Sequence, residues 1–228
     1  HTKHSIIAMN LEFILKFLKD LAKHNDREWF EKNKPRYIEA KAGFEGVITA
    51  VLKELQKFDN GLANLDPKKL PFRIYRDVRF SKDKRPYKTN MGAGFSPNGR
   101  LIQEPGYYLH VEPGNKSFIA GGIYMPDANN LAKIRQEIDY NPDRLRKILS
   151  AKKFKGLFDG FDEFDKLKTM PKGYGKDHPN SDWIKLKSFI VSMPLTDKQV
   201  TDKNFITVVA SACKNIKPLN DYIKDALQ

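Results

Sequence analysis

The run from Phe72 to Ala93, FRIYRDVRFSKDKRPYKTNMGA, constrains this chain more than any other. It carries seven Lys or Arg (Arg73, Arg76, Arg79, Lys82, Lys84, Arg85, Lys88) against Asp77 and Asp83, with Tyr75, Phe80 and Tyr87 interleaved. Read as a strand, alternation puts Phe72, Ile74, Val78 and Phe80 on one face, with Arg76 in the middle of that apolar row. A guanidinium among core residues is costly unless paired. Arg76 is therefore expected to be substantially buried and held by a carboxylate or an anion. Ser81 to Pro86 reads as a loop, because Pro86 fixes its own φ and biases Arg85 towards extended geometry. Asp83 is placed to shape that loop by bonding neighbouring amides.

The flanking sequence supplies helices. Asn10 is a candidate cap for a helix through Leu11, Ile14, Leu15, Leu18 and Leu21, and residues 1–9 read as a flexible start. Asn25 with Glu28 resembles a capping box. Pro35 opens a long amphipathic helix through Phe44, Val47, Ile48, Val51 and Leu55. Tyr107–Val111 and Ser117–Ala120 read as a hairpin around Glu112-Pro113-Gly114-Asn115. Gly121 and Gly122 suggest a bulge or a close backbone approach. Asp127 and Asn141-Pro142 start further helices. Residues 152–176 read as irregular and Asp182–Ile190 as helical. Thr201 reads as the cap of a last helix that Pro218 breaks. With no repeat or linker, the expected architecture is one α+β domain over 1–228. Its twisted antiparallel sheet spans Phe72 to about Met125, flanked by N-terminal and C-terminal helices.

The net charge of +13 and pI near 9.6 favour acidic partners, either phosphate-bearing molecules or nucleic acid, over a neutral one. The lone Cys213 excludes an intrachain disulfide and Cys-based zinc sites, and reads as a small buried apolar group. No apolar window reaches transmembrane length, so no membrane partner is expected and the location reads as cytoplasmic.

Several segments carry a resemblance to a known family. RDVRFSKDKRPYKTN, NDREWFEKNKPRY (Asn25 to Tyr37), YYLHVEPG (Tyr107 to Gly114), GGIYMP (Gly121 to Pro126) and LKSFIVSMPL (Leu186 to Leu195) occur in this order. Together they resemble the domain of unknown function 2461 family of conserved hypothetical proteins. The resemblance implies a soluble bacterial α+β protein and implies no activity.

No P-loop, HExxH or nucleophile elbow is present, and Gly92-Ala93-Gly94 lacks the third glycine of a dinucleotide fingerprint. No cofactor is expected, and no metal, because His24 and His178 stand apart from a second ligand. The best constellation joins the basic stretch to the strand YYLHVEP. There Tyr108, His110 and Glu112 share a face, and His110 and Glu112 are candidates for proton transfer. Arg73, Arg76, Arg79, Lys84, Arg85, Tyr87, Lys88, Tyr108 and His110 are the candidate ligand-binding residues, suited to a phosphate-bearing anion. Three alternatives stand beside this reading. The cations could be structural ion pairs, the same stretch could bind nucleic acid, or the chain could be a partner-binding domain without chemistry.

Overall fold

The computed structural model describes residues 2–100 and 103–228. Helix α1 (Lys3–Lys23) starts earlier than expected. It is capped by Thr2, and both Asn10 and residues 3–9 of the expected flexible start lie inside it, residue 1 being outside the described residues. Leu11, Ile14, Leu18 and Leu21 are fully buried along its inner face. Helix α2 (Arg27–Lys32) is capped by Asp26, whose carboxylate accepts from Trp29 N at 2.8 Å. Asn25, expected in that role, is used elsewhere. Helix α3 (Lys34–Leu55) has Pro35 in its first turn and packs on α1.

The sheet has four antiparallel strands in sequential order. They are β1 (Met91–Phe95), β2 (Gly106–Val111), β3 (Ser117–Ile123) and β4 (Phe189–Leu195). The hairpin of β2 and β3 forms as expected, pairing Tyr108 with Ala120 and His110 with Phe118. Gly114 (φ 83°) and Asn115 (φ 60°) turn it through left-handed backbone, which glycine and asparagine tolerate best.

Two assignments are corrected. The sheet does not start at Phe72, because residues 72–90 make a single isolated bridge, Tyr75 with Tyr87. Phe80 is 95% exposed, so no apolar row is buried there. The loop instead folds back to satisfy Arg76. Secondly, the expected helix from Asp182 to Ile190 is only α7 (Ser181–Ile184), and the chain then enters β4. Phe189 and Val191 turn into the core while Ile190 and Ser192 face away, a period-two pattern. Pro194 is tolerated because β4 is an edge strand.

The remaining helices are α4 (Ala128–Tyr140), α5 (Pro142–Ser150), α6 (Lys152–Leu157), α8 (Asp197–Val200) and α9 (Phe205–Ala226). Helix α6 falls within the stretch read as irregular. Helix α9 continues past Pro218, its expected end, and starts after Asn204 rather than Thr201. A proline inside a helix costs about 3 kcal/mol. Here Ile216, Leu219, Tyr222 and Ile223 are all at most 1% exposed, and each fully buried aliphatic contributes about 1.5–3 kcal/mol, enough to offset it. Helix α9 lies against β3 so closely that a Cβ on Gly121 would sit 2.4 Å from Ile216. That close approach is what Gly121 is for. Cys213 is fully buried on the same helix.

The sheet is therefore two-faced. Ala93, Leu109, Val111, Ile119 and Val191 point to the helical layer and are fully buried. Among the described residues no helix covers the opposite face, and the site is built on it.

Candidate ligand-binding cleft

Because side chains alternate, the free face presents Gly92 and Gly94 from β1, Tyr108 and His110 from β2, Phe118 and Ala120 from β3, and Ile190 and Ser192 from β4. These residues floor a cleft of about 1100 Å³. Gly94, Tyr108, Ala120 and Ser192 form one row straight across the sheet. Gly92 makes room for the Tyr108 phenol, since a Cβ there would lie 2.4 Å from its hydroxyl.

Tyr108, His110 and Glu112 are hydrogen-bonded in series. Tyr108 Oη lies 2.9 Å from His110 Nδ1, and His110 Nε2 lies 2.8 Å from Glu112 Oε1. Glu112 Oε2 also accepts from Thr89 Oγ1 at 3.4 Å. The carboxylate can only accept, so Nε2 carries a proton. In the neutral ring Nδ1 then accepts from the Tyr108 hydroxyl. His110 is held flat against Phe118, with centroids 4.5 Å apart. Burial, and then the charge of Glu112, push the Tyr108 phenol up to about 12, so its proton is in place at neutral pH. This series can accept a proton from a ligand hydroxyl. That proton passes to Tyr108 Oη, the tyrosine's own proton moves to His110 Nδ1, and Glu112 stabilises the imidazolium.

On the β1 side three cations stand at the mouth: Arg73, Lys88 and Arg100. None has a carboxylate partner among the described residues. Lys88 Nζ donates to Arg73 O at 2.8 Å, and Arg100 donates to the carbonyls of Lys69 and Pro71. Lys88 and Arg100 lie 5.8 and 5.5 Å from the centre of the Phe72 ring. Burial, then the like charges of Arg73 and Arg100, lower the pKa of Lys88. At the β4 end the Asp162 carboxylate accepts from the Ser192 hydroxyl at 2.8 and 3.1 Å, and burial raises its pKa.

Of the residues singled out in the sequence, Arg73, Lys88, Tyr108 and His110 line the cleft, and Glu112 stands behind His110. The others do not meet there. Arg76, expected in an apolar row, closes the loop instead. Its guanidinium donates to the carbonyls of Asp83 (3.0 Å) and Arg85 (2.8 Å) and pairs with the Asp83 carboxylate at 3.3 Å. The expected carboxylate partner is present, but the expected burial is only partial, since the side chain is 24% exposed. Arg79 is chelated by Asp77 and Arg85 by Asp83. These pairs hold Asp77 down to about 2 and Asp83 well below the carboxylate range. Lys84 donates to Val78 O at 2.8 Å.

Tyr87 is buried, stacked on Phe30 at 4.0 Å, and its backbone is clasped on both sides by the Asn25 amide. That explains why Asn25 does not cap α2. The clasp delivers the next residue, Lys88, to the cleft. His178 is a satisfied structural histidine, bonded to Asp139 at 2.7 Å and to Asn180 N at 3.0 Å.

Arg100, Asp162, Ser192, Tyr124 and Phe164 were not found from sequence. Ser192 could have been, through the alternation of Phe189, Ile190, Val191 and Ser192. Asp162 lies in an irregular segment with no local signal. Among the described residues no group of three or more His, Cys, Asp or Glu could hold a metal ion. Among them, no helix is long and apolar enough to cross a membrane.

A family model described as a conserved hypothetical protein, DUF2461, matches residues 13–222. The chain belongs to that family. The DUF2461 match contains every residue that lines the cleft, so the site lies wholly within the shared domain. Comparison with curated proteins and with solved structures returns no match.

Proposed function

We propose that this DUF2461 protein binds a phosphate-bearing small anion in the cleft, at Arg73, Lys88 and Arg100, above the Tyr108–His110–Glu112 series. One observation carries the reading. Three cations line a concave site, none of them in an ion pair among the described residues, and burial, then the like charges of Arg73 and Arg100, lower the pKa of Lys88. An uncompensated cation in such a place is stabilised by an anion that forms charge-assisted hydrogen bonds to it. The proton-relay series gives the bound ligand a partner for acid–base chemistry.

Nucleic acid is the weaker reading, because the exposed basic loop beside the cleft has already spent Arg76, Arg79 and Arg85 on its own aspartates. Calorimetric titration with inorganic pyrophosphate tests the proposal. Saturable binding is expected, weakened at least about tenfold by Lys88→Ala. Absence of binding in the folded wild-type protein, or an unchanged affinity in that variant, overturns it.

A further inference from the structure

The far end of the cleft is as specialised as the cationic mouth, with the opposite chemistry. Asp162 is a half-buried carboxylate whose only hydrogen-bond donor among the described residues is the Ser192 hydroxyl. A desolvated carboxylate can accept several hydrogen bonds, and this one has open acceptor capacity facing the cleft. Beside it Tyr124 and Phe164 stack on each other, centroids 5.8 Å apart and planes at 28°. Both also line the cleft, yet they are 63% and 58% exposed. Adjacent exposed aromatic rings beside a hydrogen-bond acceptor are the elements of a site for a flat, N–H-bearing ring.

The spacing orders these features. Strands lie about 4.8 Å apart, so the three steps from β1 to β4 put Ser192 about 14 Å from Gly94. Tyr108 stands between them in the same row. A ligand that spans the cleft must therefore be anionic at one end, bear oxygens or hydroxyls in the middle, and end in a planar group that donates hydrogen bonds. We infer that the ligand is a mononucleotide, with its phosphate at Arg73, Lys88 and Arg100, its sugar over Tyr108 and His110, and its base at Tyr124, Phe164 and Asp162. This rests on the anion reading above and names the class of ligand that the site takes. An inorganic anion would leave the Asp162 end unused, and a sugar phosphate would leave the aromatic pair unused.

Calorimetry on the full chain with inorganic phosphate, ribose phosphate, AMP and GMP separates the possibilities. At least one nucleotide is expected to bind about tenfold or more tighter than ribose phosphate, because a stacked base adds binding that the sugar phosphate lacks. Phe164→Ala and Asp162→Asn should each remove most of that advantage while leaving inorganic phosphate binding unchanged. Phe164 is exposed, and the Asp162 backbone keeps its own bond to Ile190 O, so both variants should fold, as circular dichroism would verify. Inorganic phosphate binding with no gain for either nucleotide overturns this inference and leaves the anion site standing. So do variants that weaken phosphate and nucleotide equally. An oligonucleotide that binds where mononucleotides fail also overturns it. If none of these probes binds, this inference falls, and if pyrophosphate also fails to bind, the anion reading falls with it.

Discussion

The loop from Arg76 to Arg85 and the mouth of the cleft are drawn from the same basic stretch, yet they treat charge in opposite ways. In the loop Arg76 and Arg85 share Asp83, and Arg79 is chelated by Asp77 at 2.7 Å. Each guanidinium there answers a carboxylate or a carbonyl, and the cations hold the chain in shape. At the mouth Arg73, Lys88 and Arg100 have no carboxylate partner among the described residues, and burial, then the like charges of Arg73 and Arg100, lower the pKa of Lys88. A count of positive residues treats the two regions alike. Carboxylates separate them: cations paired with a carboxylate build structure, and cations that meet only carbonyls in a concavity mark a site.

The largest effect should come from removing two of the cations that lack a carboxylate partner. Lys88→Ala with Arg100→Ala is expected to lower pyrophosphate affinity about a hundredfold or more, with calorimetry as the measurement. A folded double variant that binds normally would erase the distinction between the regions. Next comes Arg76→Ala, which strips several hydrogen bonds from a partly buried loop. It should destabilise the protein by about 2 kcal/mol in urea unfolding while leaving the wild-type affinity for pyrophosphate nearly unchanged. A large loss of affinity without loss of stability would move Arg76 into the site.

A smaller effect is expected from pH. Lys88 in the free protein loses its proton below the ordinary lysine value of 10.5, and a bound anion keeps that proton on. Sulfate, which does not titrate in this range, should therefore bind more weakly as pH rises through the lowered pKa of Lys88, by at most about tenfold per pH unit. Affinity that is flat there, or rises, would show that Lys88 does not face the anion. The smallest effect should be that of Arg79→Ala. Its pair with Asp77 is exposed, and neither unfolding nor sulfate titration should change measurably.

Much of this was legible in the chain itself. The β2–β3 hairpin announced itself by alternation around a Pro-Gly turn, and the same alternation placed Tyr108, His110 and Glu112 on one face. Burial on α1 and α3 followed from helical periodicity. The errors have a common cause, which is tertiary context overriding a local rule. Pro218 stays helical because α9 is buried on both sides of it. Phe72 to Phe80 alternates like a strand, but Arg76 found its acceptors within the loop, so no sheet was needed to satisfy it. The β4 end of the cleft was invisible for a different reason. Asp162 and Ser192 meet because the irregular segment carrying Asp162 docks against β4, where Asp162 N donates to Ile190 O at 2.8 Å, and nothing in their immediate sequence indicates that meeting.

The clasp of Asn25 on Tyr87 has a dynamic consequence. The side-chain amide pairs with both backbone groups of Tyr87 at 2.9 and 3.1 Å, and Tyr87 stacks on Phe30 of α2. Any local opening that frees α2 from the segment therefore also loosens the residue that carries Lys88. Occupancy of the cleft and opening of the N-terminal helices become two readings of one equilibrium. An anion held by Lys88 should slow amide hydrogen exchange at Tyr87 and across α2, a region that touches no part of the ligand.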